Sequence, residues 1–326
     1  MQRVLYVAAG RAYGDHARGV AYEERYFHEP LRHFPGLEVE HFDFVAQALR
    51  DGQRAMSERL VRRVTQLRPD LVFLFPFAAD RDPLPERVLE ISAGLGVPTV
   101  AWMADDQWRF ASYGRHWAPY LDWIVTTDPD AVARYAALGA RARCILSQWG
   151  VNHRLYRPTL DPQDLDVAFV GQAHGDRIRV VEQLRARGIA VAVFGHGWGE
   201  GVPRLPFHEM VRVFSRARIN LNLTNSWSDP SRQIKGRNFE VPGCWGFLLT
   251  EQAPHLERYF ALEQEVATFA DADQLVERVH WYLAHEADRR RIAVRGYRRC
   301  LAEHTCDHRL AAILAAVGCG AALEVG

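Results

Sequence analysis

Short apolar runs alternate with longer amphipathic segments along this 326-residue chain, and that alternation limits what it can fold into. Val4–Ala8, Glu38–Phe44, LVFLFPF, PTVAWMA, DWIVTT and RCILSQW read as strands. EERYFHEPLRHF, SERLVRRVTQLRPD, PERVLEISAGLG and PDAVARYAALG lie between them and read as helices. Apolar runs too short for helices, separated by about ten or more helical residues, mark βαβ units and a parallel sheet. From Gly150 to Asp166 the pattern breaks into GVNHRLYRPTLDPQDLD, with two prolines and no periodicity. The alternation then restarts with DVAFVG, IAVAVFG, RINLNLT, GFLLT and EVATF as strands, and three helical segments close the chain. The expectation is α/β: two Rossmann-like doubly wound domains, residues 1–150 and 166–326, joined by a linker at 151–165 and facing a cleft.

Composition excludes several classes. Forty basic and forty acidic residues cancel, so no net field draws the chain to nucleic acid or anionic lipid. The opening MQRVLYVAAGRAYG lacks the apolar core of a signal peptide, and no run approaches the roughly 20 apolar residues of a membrane span. Five scattered cysteines point to a reducing compartment. A soluble cytoplasmic protein is expected, with no nucleic-acid partner and no transmembrane segment.

The stretch QIKGRNFEVPGCWGFLLTE, Gln233 to Glu251, holds Lys235, the only lysine among the 40 basic residues. Where arginine is the default cation, an isolated lysine suggests a site that needs a compact, mobile ammonium. A helix beginning near Gly236 would present N–H groups and a positive dipole end to an anion, flanked by Lys235 and Arg237. Glu240 would stand about 6 Å further along the axis, the reach from a diphosphate to the hydroxyls of an attached ribose. Pro242 should weaken this helix, and Gly243 or Gly246 could cap it. The competing reading is an irregular connection with solvated cations.

KGRNFEVPGCWGFLLTE resembles the nucleotide-sugar site of GT-B glycosyltransferases, most closely the spore-maturation CgeB-like group with its K-G-R-x-F-E-x-P-G…G-x-L-L-T-E string. SQWGVNHRLYRP resembles the interdomain segment of such enzymes, and DVAFVGQAHGDR the first strand and loop of their donor domain. The likeness spans most of Ser147 to His308, and the first half matches mainly in architecture. It implies that Glu240 holds the donor ribose, that Lys235 and Arg237 meet the diphosphate, and that Thr250 and Glu251 belong to the donor site. Many retaining GT-B enzymes carry two glutamates separated by seven residues. Here Arg232 stands where the first would be, which leaves the stereochemical outcome open.

Other loops carry candidates. Gly171 lies where a strand turns into a helix, followed by His174, Gly175 and Arg177; glycine there lets backbone approach a phosphate, and an ordinary tight turn is the alternative. GRAYGDHARG, with Gly10 and Gly14, could face phosphate or acceptor and offers His16 as a catalytic candidate, with a merely solvated loop as the alternative; it lacks the G-x-G-x-x-G fingerprint. Asp105 and Asp106 in AWMADDQW sit near the carboxyl end of a strand, where one could deprotonate an acceptor or both could cap a helix. A similar W-x-x-D-D-x-W string in the CgeB-like group implies function. Asp128–Asp130 reads as a helix cap rather than a metal motif. Cys300, His304, Cys306 and His308 fit no zinc pattern, so no metal is expected. Trp102, Trp108, Tyr113, Trp117, Tyr120 and Trp123 mix core with a conceivable sugar platform.

The expected function is metal-independent transfer of a sugar from a nucleoside-diphosphate sugar to an unknown acceptor, without a cofactor. The second domain would bind the donor and the first the acceptor. A nucleotide-sugar epimerase on the same fold and a non-catalytic binder of nucleotide or sugar are the alternatives.

Overall fold

The computed structural model describes residues 1–202, 204–226 and 231–320. The chain forms two units: Met1–Gln148 together with the chain from Cys306 onward, and Trp149–Thr305.

In the first unit, β1 (Gln2–Ala8), β2 (Leu37–Asp43), β3 (Leu71–Leu74), β4 (Thr99–Met103), β5 (Trp123–Thr126) and β6 (Arg143–Leu146) form one sheet in the order β2-β1-β3-β4-β5-β6. Every pairing is parallel. All residues of β3 and β4 are buried, as strands covered by helices on both faces must be, so their sequences are unbroken apolar runs. The strand order reverses between β1 and β3, and a crevice opens outside the carboxyl ends of strands at such a point. The glycine-rich segment beginning at Gly10 leaves β1 there.

The second unit repeats the plan with β7 (Leu165–Val170), β8 (Val191–Phe194), β9 (Ala217–Asn222), β10 (Leu248–Glu251) and β11 (Ala267–Phe269), in the order β11-β10-β9-β7-β8. All of its pairings are parallel as well. Its order reverses between β7 and β9, which places Gly171 and Thr224 at the corresponding crevice. Val167, Phe169, Ile219, Leu221 and Leu249 supply the buried face under the helices.

The eleven strands among the described residues lie where the apolar runs place them, and three features differ from expectation. Phe44–Asp51 is helical, begun by Asp43, whose Oδ1 accepts from the Ala46 N–H at 3.0 Å. The segment expected to link the domains is packed rather than loose: Val151, Asn152 and Tyr156 are buried, and Val151 N–H donates to the His304 carbonyl at 2.9 Å. Missing periodicity there signals irregular backbone, not missing contacts. The last helix, Cys306–Ala316, goes with the first unit, where it packs on the helical turns Glu24–His28 and Glu29–Leu31 through an apolar face that includes Leu310, Ile313 and Leu314. Among the described residues, no helix is long and apolar enough to cross a membrane.

The helix Glu286–Glu303 lies against the short helix Arg237–Gly243. Gly296 permits this approach, since a Cβ there would fall on the Glu265 carbonyl oxygen and stand 3.5 Å from Pro242 Cβ. Helix propensity alone favours alanine by about 1 kcal/mol, whereas overpacking against backbone that cannot retreat costs about 1–3 kcal/mol. Gly296→Ala is therefore expected to lower the urea midpoint of the protein. An unchanged or raised midpoint would show that the two helices have room to separate.

Candidate active site

β7 ends in a tight turn. Gly171 N–H donates to the Phe194 carbonyl at 2.9 Å, and its own carbonyl accepts from Trp198 Nε1 at 2.8 Å. The loop continues to Gly175, whose φ of +59° and closeness to Asn225 exclude a side chain; a Cβ would lie 2.5 Å from Asn225 Nδ2. Arg177 opens the next helix and turns inward. Its guanidinium donates to the carbonyls of Gln172 (3.1 Å), Leu223 (3.3 Å) and Asn225 (3.2 Å) and to Asn225 Oδ1 (2.9 Å). Burial pulls its pKa down to about 10, so it stays cationic at neutral pH. Arg177 thus holds together the loops that follow β7 and β9.

Beside it, His174 is pulled down to about 4, by burial first and then by the positive charges of Arg177 and Lys235. The imidazole is therefore neutral at physiological pH. Lys235 sits just before the helix Arg237–Gly243, and its backbone exchanges bonds with Asn238: Lys235 N–H to Asn238 Oδ1 at 2.9 Å, Asn238 N–H to the Lys235 carbonyl at 3.0 Å. Asn238 Nδ2 in turn reaches Thr250 Oγ1 at 3.2 Å, which also accepts from Asn222 Nδ2 at 3.0 Å. These three residues are fully or almost fully buried, so the network fixes the start of the helix against the ends of β9 and β10. Thr250 acts as part of that support.

The helix starts where the sequence places it, after Gly236, and ends after Gly243. Its stop is made by Trp245 in the left-handed region (φ 59°), with Gly246 N–H bonded to the Val241 carbonyl at 3.0 Å. Arg237 donates from Nε to the Val170 carbonyl at 3.1 Å, lies over the Phe214 ring and pairs with Glu240. Glu240 is fully buried, and its Oε1 accepts from the Tyr156 hydroxyl at 2.8 Å. Glu251 accepts from Thr224 N–H (2.9 Å) and Oγ1 (3.0 Å) and pairs with Arg232 Nε at 2.6 Å. Arg232 also reaches Asp176 at 3.6 Å. Arg232, at the position of the first glutamate of the retaining pair, therefore ties Glu251 to the loop after β7.

In the first unit, Gly10, Gly14, His16, Glu24, His41 and Asp43 line a cavity of about 370 Å³. His16 is exposed, in a short turn begun by Asp15, whose Oδ1 accepts from Ala17 N–H at 2.8 Å. The two neighbouring aspartates separate. Asp106 is 1% exposed and accepts from Thr126 Oγ1 (2.7 Å) and the Tyr135 hydroxyl (3.0 Å). Burial raises its pKa to about 6. Asp105 is half-buried and precedes the helix Asp106–Arg109 without capping it through its side chain. Asp128 does cap, its Oδ1 accepting from Asp130 N–H at 3.1 Å. Trp102 and Trp117 are core residues, and Cys300 and His304 bond the carbonyls of Phe239 and Tyr259.

Sequence reasoning missed Tyr156, Asn225 and Asn238. Tyr156 stands 84 positions from Glu240, and no local spacing connects them. The Asn238 bond to Lys235 could have been found as a polar residue three positions into a helix.

Residues 177–315, under half of the chain, match a family model described as Glycosyl transferase-like. No curated protein sequence matches. The fold is similar to sucrose-phosphate synthase from Thermosynechococcus elongatus, at 12% identity over 98% of this chain and 99% of that one, with a TM-score of 0.69. It is also similar to HepE from Anabaena, solved in complex with UDP-glucose (8% identity, 97% and 100% covered, TM-score 0.65). A third likeness is to a UDP-GlcNAc 2-epimerase from Neisseria meningitidis bound to UDP-GlcNAc (9% identity, 97% and 99% covered, TM-score 0.58). The architecture is that of the GT-B fold, and residues 177–315 on it are similar to the glycosyl transferase-like family.

Asp106 yields a test that needs no ligand. Its folded pKa of about 6 stands above the ordinary 3.8, so the unfolded chain releases this proton first as pH rises. The carboxyl costs nothing below about pH 4 and its full amount, on the order of 3 kcal/mol, above about pH 6. The stability of wild type relative to Asp106→Asn, measured by urea denaturation, should fall across that window and then level. Parallel curves would show that the group titrates normally.

Proposed function

We propose that this protein transfers a sugar from a nucleoside-diphosphate sugar to an acceptor hydroxyl, with the donor diphosphate held at the crevice between β7 and β9. The observation that carries this reading is the gathering of Arg177, Lys235 and His174 within one another's fields at that crevice. Two cations beside a neutral imidazole, on a loop with close backbone approach, form a site for an anion. Uridine diphosphate is the first candidate, because HepE of similar fold was solved with UDP-glucose. The K-G-R-x-F-E-x-P-G string supports the narrower kinship with the CgeB-like group.

In this reading Lys235 meets the charge that grows on the departing diphosphate, and its mobile ammonium suits a charge that changes along the reaction. Arg177 positions the loops and Arg237 positions Glu240, whose Oε2 exchanges Arg237 for ribose hydroxyls when the donor binds. Protein cations supply the charge that a metal would otherwise bring. The acceptor is assigned to the first unit with Asp105 as general base, since Asp106 has both oxygens occupied by buried hydroxyls. The acceptor oxygen bonds to the anomeric carbon, its proton passes to Asp105, and the diphosphate leaves with the bonding pair. A single displacement of this kind inverts the anomeric carbon. An epimerase is the second reading, favoured by the likeness to the Neisseria enzyme; it would turn over nucleotide sugar with no acceptor present.

The test is a thermal-shift panel of UDP, GDP, dTDP, CMP and ADP, with magnesium and with EDTA. A ligand at 100 times its dissociation constant adds about 2.7 kcal/mol of stability. One diphosphate should raise the wild-type Tm equally in both conditions, and Lys235→Ala should lose most of that rise. Lys235→Arg should retain the rise and lose turnover by about tenfold or more. Glu240 is best probed as Glu240→Gln, since removing one partner of a buried pair costs about 3–5 kcal/mol. No shift from any nucleotide would refute the donor site.

A further inference from the structure

The first unit holds a second cluster that the donor reading does not use. Glu24 and His28 lie four positions apart on a π-helical turn, Glu24–His28, closed by the Glu29 N–H on the Glu24 carbonyl. Such turns are rare and concentrate at functional sites. β2 brings His41 to the same place, because its register sets His41 beside Tyr6 of β1. The Tyr6 ring stacks on His28 at 5.6 Å and stands 5.6 Å from the His41 ring, forming an apolar floor under both. One oxygen of Glu24 and one nitrogen of each imidazole lie within 4.8 Å of one another.

The tautomer of His41 decides what this cluster can hold. His41 Nε2 lies 3.0 Å from the Ala8 carbonyl, which can only accept, so Nε2 carries a proton. In the neutral ring, Nδ1 therefore presents a lone pair toward Glu24 Oε2 at 3.5 Å. That oxygen is buried and has no hydrogen-bond partner among the described residues, whereas Oε1 lies 2.5 Å from His28 Nδ1. Either a proton or a metal ion must lie between these two lone pairs. Ligands about 2.1 Å from a tetrahedral Zn²⁺ stand about 3.4 Å apart, the edge that Glu24 Oε2 and His41 Nδ1 already span. The bond from the far nitrogen of His41 to a backbone carbonyl is the outer-shell contact that metal-bound imidazoles make.

We propose that Glu24, His28 and His41 bind a divalent transition metal of the zinc type. Two imidazoles and one carboxylate suit that class and leave a coordination position open. Glu24 and His41 both line the 370 Å³ cavity, so a water or an oxygen of a bound molecule reaches that position from there. Gly10 keeps the cavity wall thin: a Cβ on it would stand 2.7 Å from Asp43 Oδ2 and 3.3 Å from His41 Cε1. Binding replaces the Nδ1 proton of His28 and releases it to solvent. The site lies in the first unit and leaves the metal-free donor chemistry of the second unchanged.

The experiment is titration of Co²⁺ into the EDTA-treated full-length protein at about pH 8, where free imidazole is neutral. One equivalent should give the visible d–d bands of a tetrahedral ion, and Zn²⁺ should displace them and raise the Tm. Glu24→Gln and His41→Gln, both at half-buried positions, should each weaken binding at least tenfold. His33→Gln, a surface control, should not. No nucleotide is present, so the result is independent of the donor reading. Absence of the bands in wild type, or bands that both variants retain, would overturn the proposal.

Discussion

One buried guanidinium organises the second unit. Where a parallel sheet reverses its strand order, adjacent strands send their following loops to opposite faces, and carbonyls at the loop starts are left facing one another. Arg177 fills that gap with donors to Gln172, Leu223 and Asn225. No neutral side chain has enough N–H groups for this, and lysine lacks the planar fork. The crevice is held open and shaped by the charge that then fills it with positive potential. Loop geometry and site electrostatics share one cause.

The neighbouring chemistry follows from that charge. Burial first, and then the charges of Arg177 and Lys235, pull His174 down to about 4, which leaves it a neutral hydrogen-bonding group near pH 7. Lys235 is placed by its backbone, through Asn238, Thr250 and Asn222. Arg237 is held by a carbonyl, an aromatic face and a carboxylate. The two cations of one sequence motif are thus positioned differently, Lys235 through its backbone and Arg237 through its guanidinium.

Much of this was legible in the sequence, for identifiable reasons. Parallel strands buried on both faces need unbroken apolar runs, so the eleven strands announce themselves. The helix after Gly236 could be placed from glycine, proline and charge. What could not be read depends on pairings distant along the chain. Tyr156 meets Glu240, His41 meets Glu24, and the last helix packs on the turns Glu24–His28 and Glu29–Leu31; each requires knowing which surfaces coincide. Asp105 and Asp106 show a subtler limit. Adjacent carboxylates at a strand end look equivalent, yet the turn sends one into Thr126 and Tyr135 and leaves the other half-buried.

The return of the last helix to the first unit alters the order in which the molecule can be completed. Residues 149–305 are an interruption in the first unit, with ends held side by side where Val151 pairs with Thr305. During synthesis from the N-terminus, the second unit has its whole chain before the first has its final helix. The half that is made first is therefore finished last, and until then the surface around Tyr26 and Leu31 that the final helix covers must wait bare. A ribosome pausing between the two boundaries would leave a complete second unit attached to an unfinished companion.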